Sequence, residues 1–114
     1  MENKAVRNGD KDEIKEVFIP IQNEGKLVFI KPVEVHKGDL VIWQAIDSAV
    51  TFFFPDPALF GETLGTISKG EYKSLRVLLG PGEKEEEFYH YAVYHHEFKD
   101  FGEGNSTPVI IVRK

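Results

Sequence analysis

The chain has 114 residues, 41% hydrophobic and 29% charged, with a formal net charge of -5 and no cysteine. That describes one globular domain of ordinary size, able to bury a core without disulfides or a structural metal. The acidic balance argues against nucleic acid as the main partner, the lack of Cys excludes disulfides, thiolate catalysis, Fe–S clusters and Cys-ligated zinc, and no run approaches the roughly 18 apolar residues of a membrane span.

Residues 1–16 alternate in charge and lack the apolar centre of a secretory signal. They read as a polar N-terminal arm ahead of a domain over 17–114. A cytoplasmic protein is expected, or a periplasmic one if a signal peptide was removed. Abundant Lys and Glu with a single Met weakly resemble a thermophile composition. From Val17 on, short apolar runs alternate with turn signals, the pattern of an all-β sandwich or barrel. A strand over 17–21 carries Pro20 and belongs near an edge. Strands follow over 27–30, 33–36, 40–46 and 50–54, separated by turns at 23–26, 37–39 and 47–49. Pro55 to Gly61 reads as one helical turn, with Asp56 as its cap, Pro57 in the first helical position and Gly61 at its end. A weak strand over 63–67, then strands over 72–79, 88–95 and 109–112, complete the set. About eight strands and one short helical turn fit two packed sheets.

Several segments then fall in a known order. Val35-His36-Lys37-Gly38-Asp39-Leu40-Val41-Ile42-Trp43 resembles the V-x-x-G-D-x-V-x-W segment of cupredoxins. Asp47-Ser48-Ala49 resembles the loop before that family's first histidine ligand. Lys69-Gly70-Glu71-Tyr72-Lys73-Ser74-Leu75 resembles its Gly-Glu strand start, and Phe88-Tyr89-His90-Tyr91-Ala92-Val93 its Tyr-x-Tyr/Phe-x-Cys strand. The resemblance covers about residues 26–113 and implies a Greek-key β-sandwich. A blue-copper site needs two imidazoles, a thiolate and a weak axial thioether. Carried onto this chain, the resemblance puts the first histidine at Thr51, the cysteine at Val93, the second histidine at His96 and the methionine at Phe101. Only His96 is a ligand type. The family's copper is therefore expected to be lost, and no cofactor takes its place. The resemblance also implies that the loops 47–51 and 94–107 converge with the 55–62 turn at the former copper pole, with His95, His96 and Asp47 at its rim.

The histidines give the remaining metal candidates. His36, His90, His95 and His96 read as surface or loop-bracing residues. The alternative is a small Cu or Zn site using His96 with His95 or His90. No serine stands in a triad-like context, no glycine pair precedes a helix as a phosphate loop does, and no catalytic residue is expected. Phe52-Phe53-Phe54 raises a packing question, because neighbours in a strand face opposite ways. Either the N-terminal strand or the 57–60 turn covers the outward ring, or Phe52, Phe54 and Phe101 form an exposed patch for a partner. Leu40 and Ile42, opposite Val41 and Trp43, pose the same question. The expected role is binding or assembly, with an unidentified protein or a second copy of the chain as partner.

Overall fold

The computed structural model describes residues 14–24, 27–28, 30–96, 100–101 and 108–114. Residues 1–13 of the expected arm lie outside them. Lys15 and Glu16, at its end, already belong to the sheet. Leu40 donates its N–H to the Lys15 carbonyl, and Glu16 is the first residue of a strand.

The strands are β1 (Glu16–Ile21), β2 (Asn23–Glu24), β3 (Leu27–Val28), β4 (Val33–His36), β5 (Leu40–Ala45), β6 (Val50–Phe53), β7 (Leu64–Ile67), β8 (Tyr72–Arg76), β9 (Glu86–His90), β10 (Ala92–His95), β11 (Asp100–Phe101) and β12 (Val109–Arg113). They form the ladders β1-β5-β8, β11-β10-β6-β7, β4-β12-β9 and β2-β3. Consecutive strands β4 and β5 sit in different ladders, and the last long strand inserts between β4 and β9. Such crossovers are the Greek-key way of building a sandwich. Pro20 sits in β1, an edge strand, where its missing N–H costs no ladder bond. Among the described residues there is no helix, hence none long and apolar enough to cross a membrane.

Period-2 burial sets the core. In β5, Val41, Trp43 and Ala45 are buried while Leu40, Ile42 and Gln44 are half-buried on the other face. Trp43 is completely buried and lies 5.0 Å from the Phe52 ring of β6, so the inner faces of these two strands meet there. Its indole Nε1–H donates to the Tyr91 hydroxyl at 3.2 Å, which satisfies two polar groups the core would otherwise strand. Phe54, Phe60 and Tyr91 complete an aromatic cluster around it.

The Gly-Asp turn is explained by its hydrogen bonds. Gly38 takes φ +95°, a region that non-glycine residues enter at a cost. Buried Asp39 then accepts from the backbone N–H of His36 at 2.8 Å and of Lys15 at 3.4 Å. One carboxylate thus closes the turn and fastens β1 beside it. The 57–60 segment is a single turn, closed by the Gly61 N–H on the Pro57 carbonyl at 2.8 Å, with Asp56 accepting from the Ala58 N–H at 3.0 Å. Gly61 ends it at φ +80°.

Two strands depart most from the sequence reading. The single strand expected over 88–95 is two strands that meet at Tyr91, because the chain changes ladders there: β9 pairs with β12, β10 with β6, and the Tyr91 N–H goes to the Pro108 carbonyl. The strand expected over 72–79 leaves its ladder after Arg76. Val77 and Leu78 instead donate to the carbonyls of Asp39 and Leu59.

Candidate functional site

The pole at which the resemblance places copper is built by the start of β6, the end of β10 and the loops beside them. The register pairs Thr51 with Tyr94, Phe52 with Val93 and Val50 with His95. Directly opposed residues share a face, so β6 and β10 divide their side chains cleanly. Val50, Phe52, Val93 and His95 point inward and are buried. Thr51, Phe53, Ala92 and Tyr94 point outward.

This division separates the four inferred ligand positions. Val93 is in the core, only 2% exposed. Thr51 lies on the other side of the same sheet. His96, exposed just past the end of β10, returns to that outer side, and its Nε2 lies 2.6 Å from Thr51 Oγ1. Thr51 Oγ1 is also 2.9 Å from Thr66 Oγ1, giving a chain of three polar side chains across β7, β6 and the turn. The Tyr94 ring meets His96 edge-on at 5.7 Å. At the fourth position, the Phe101 backbone pairs with Tyr94. Thr51 and His96 are therefore brought together, and Val93 is kept from both by the sheet itself.

The His96 N–H donates to the Ala49 carbonyl at 3.0 Å, which ties the 47–49 loop to the end of β10. Of the 94–107 loop, residues 97–99 and 102–107 lie outside the described residues. The 55–62 turn does not join this pole. It leaves the opposite end of β6, about 10 Å away for a four-residue strand.

The histidines scatter. His36 sits on the Gly-Asp turn, with Nδ1 3.8 Å from Asp39 Oδ2. His90 is exposed on β9, opposite Val109. It lines a shallow groove with Pro55, Asp56 and Tyr89. Burial raises the Tyr89 phenol pKa, with smaller contributions from the carboxylates of Asp56 and Glu87. The expectation of a surface or rim position is corrected for His95, which is buried at 1% exposure. It continues the inward series of Tyr91 and Val93, a parity already present in the sequence. Among the described residues, no three His, Asp or Glu side chains gather as a metal site.

The phenylalanine run resolves by the same parity. Phe52 and Phe54 are core residues, 0% and 3% exposed, so neither forms an outward patch; Phe53 does, at 48%. The 57–60 turn covers Phe54, with the Phe60 ring at 5.1 Å. Beside Phe53 in the ladder stand Leu64 on β7 and Ala92 on β10. An apolar row thus borders the hydroxyl row Thr66–Thr51–Tyr94.

The residues present do not fit a blue-copper ion. The chain has no thiol and its one methionine is Met1. The position inferred for the thiolate is a buried valine. The two polar positions that do meet are bonded to each other on the far side of the sheet.

No protein-family model matches the chain, and the sequences of curated proteins give no match either. Solved structures do match. Two mutants of amicyanin, one in its reduced Cu(I) form at pH 4 and the other in its reduced state, superpose with a TM-score of 0.53. Each alignment covers 86% of this chain and 82% of the other at 17% identity, so the likeness is one of fold. The chain is a β-sandwich with a cupredoxin-like fold and without the cysteine that a type-1 copper site requires.

Proposed function

We propose that this is a copper-free cupredoxin-like domain that acts by binding or assembly, with no catalysis of its own. The observation that carries the reading is the fate of the inferred ligand positions. Val93 packs into the core, whereas Thr51 and His96 satisfy each other outside it. The surface that results suits contact better than chemistry: exposed Leu64 and Phe53, with half-buried Ala92 beside them, lie against a row of hydroxyls. An apolar centre bordered by polar groups is the usual anatomy of an interface. The rival reading, a small Cu or Zn protein using His96 with His95 or His90, has less support. His95 faces the core, His96 faces out, and His90 belongs to another ladder.

The deciding experiment is metal analysis of the protein after chelation and dialysis, followed by titration with Cu²⁺ and Zn²⁺. The expected result is no retained metal, no intense thiolate-to-copper band, and at most weak histidine-type absorption. A stoichiometric, tightly held ion that disappears in His96→Ala overturns this reading in favour of the rival.

A further inference from the structure

The outer face of the β1-β5-β8 ladder, at the back of the Trp43 layer, is covered by no strand of the described residues. Its register lays out three rows. Glu16, Leu40 and Arg76 form the first, Phe18, Ile42 and Ser74 the second, and Pro20, Gln44 and Tyr72 the third. Phe18 and Tyr72 are 49% and 60% exposed, yet their rings approach to 6.1 Å across the top of β5. The middle of the face is therefore apolar. Its charged positions stand at the two ends of one row, acid on β1 and base on β8.

We propose that this face binds a second copy of the same chain, forming a two-fold dimer of stacked sheets. The charge pattern chooses the occupant and the axis. A two-fold axis running along β5 lays β1 of one copy over β8 of the other and keeps every row over itself. Glu16 then meets the second copy's Arg76, and the reverse contact repeats it. Ile42 meets its own equivalent at the centre, and Pro20 stacks on Tyr72. An axis across the strands instead places the first row over the third, leaving Glu16 against Pro20 and Arg76 against Tyr72. Within one copy, Glu16 and Arg76 are two strands apart, about 10 Å at the usual strand spacing, with Leu40 between them, and no ion pair to either is formed among the described residues. Arg76 is already oriented: its Nη1 donates to the Gly38 carbonyl at 2.9 Å, and a guanidinium has further N–H groups to offer a carboxylate. Sheets stacked face to face keep their strands within about 30° of each other, which this axis allows.

Size sets the strength. Three strands and three rows span roughly 300 Å² per copy, short of the roughly 800 Å² per partner of a standard interface. The dimer is weak and reversible. This goes beyond the proposed function by naming a partner for a second surface, separate from the Leu64–Phe53–Ala92 row, and it rests on that reading only in treating the domain as one that works by association.

The test is sedimentation velocity and equilibrium on the full chain at physiological salt, up to about 1 mM, where weak association becomes visible. Wild type is expected to show monomer and dimer in concentration-dependent exchange. Phe18→Asp, Glu16→Arg and Arg76→Glu should each raise the dissociation constant about tenfold or more. The double swap, Glu16→Arg with Arg76→Glu, should return it to near the wild-type value, a recovery that general stickiness does not produce. All three positions are exposed, and thermal melts check that the variants remain folded. A wild type that stays monomeric throughout, a dimer indifferent to Phe18→Asp, or a double swap without recovery overturns the proposal. A monomer that binds no metal removes the dimer and leaves the copper-free binding reading standing. A dimer that holds stoichiometric metal does the reverse.

Discussion

Thr51 Oγ1 and His96 Nε2 lie 2.6 Å apart although 45 residues separate them in the chain. The contact exists because β6 and β10 pair with Thr51 opposite Tyr94, so the turn after β10 brings His96 back over the outer face. The same register sends Val93 inward with Phe52. One pairing thus joins two of the positions inferred from copper proteins and isolates a third.

It follows that simple restoration fails. Val93→Cys with Thr51→His supplies a thiolate and a second imidazole, but on opposite faces of one sheet. Added Cu²⁺ is expected to give no intense visible band and no type-1 spectrum by electron paramagnetic resonance. A blue protein from this double variant would show that the register described here is wrong.

The Thr51–His96 bond also has its own energetic test. Thr51→Val keeps the β-branched shape that suits a strand and removes only the hydroxyl. Its cost in urea unfolding should be about 0.5–1.5 kcal/mol for each of the two contacts the hydroxyl makes, to His96 and to Thr66. His96→Ala, added to it, should cost less than it does in wild type, because both changes delete one interaction. Strictly additive losses would show that the contact contributes no stability.

Much of the fold was legible because large apolar residues alternate with small or polar ones. Tyr91 and Val93 announce their inward face against His90 and Ala92, whereas Leu40 and Ile42 blur the same contrast around Val41. Thr51 likewise fixes Phe52 and Phe54 as inward, but three identical rings in a row hide that contrast. His95 is hidden for a different reason: polar residues suggest a loop, whereas strand parity carries it into the core. The Thr51–His96 contact was not legible at all. It depends on which strands pair and in which register, and that is decided by tertiary packing. The break at Tyr91 has the same origin, since continuous β propensity does not reveal that a chain changes partners.

Tyr91 makes stability depend on alkaline pH. Burial raises its phenol from 10.0 to about 12, against a smaller lowering by the Trp43 N–H bond. Once pH passes 10, the unfolded chain loses this proton while the native state keeps it. The native state then binds more protons, and stability falls as pH rises. The contribution is complete below pH 10 and gone above about 12. It amounts to about 2–3 kcal/mol. Tyr91→Phe should abolish this part of the pH profile and cost about 1–3 kcal/mol at neutral pH by orphaning the indole N–H. Urea titrations from pH 8 upward on both proteins check it; identical slopes would refute the assignment.

Asp39 is expected to matter through its hydrogen bonds. Its carboxylate holds the His36 and Lys15 N–H groups while only 4% exposed. Asp39→Ala leaves both donors without that partner and should cost about 1–3 kcal/mol. Asp39→Asn keeps one acceptor oxygen and should cost less. Amide hydrogen exchange adds a local readout: protection at Lys15 and His36 should drop more than protection in β12. Equal losses everywhere would mean global destabilisation without a local tie.

The phenylalanine run provides the sharpest contrast between neighbours. Phe54 is 3% exposed and its ring lies 5.8 Å from Trp43, 5.7 Å from Phe52 and 5.4 Å from Tyr91. Phe53, one residue earlier, is 48% exposed and stands between Leu64 and Ala92. Phe54→Ala opens a cavity in the aromatic core and should cost about 3–5 kcal/mol. Phe53→Ser removes an outward ring and should stay within about 1 kcal/mol, close to other surface changes. Both are measured by urea unfolding at pH 7, where Tyr91 is protonated in either state. If Phe53→Ser proves the more damaging of the two, β6 is inverted, and the placement of Thr51 on the outer face falls with it.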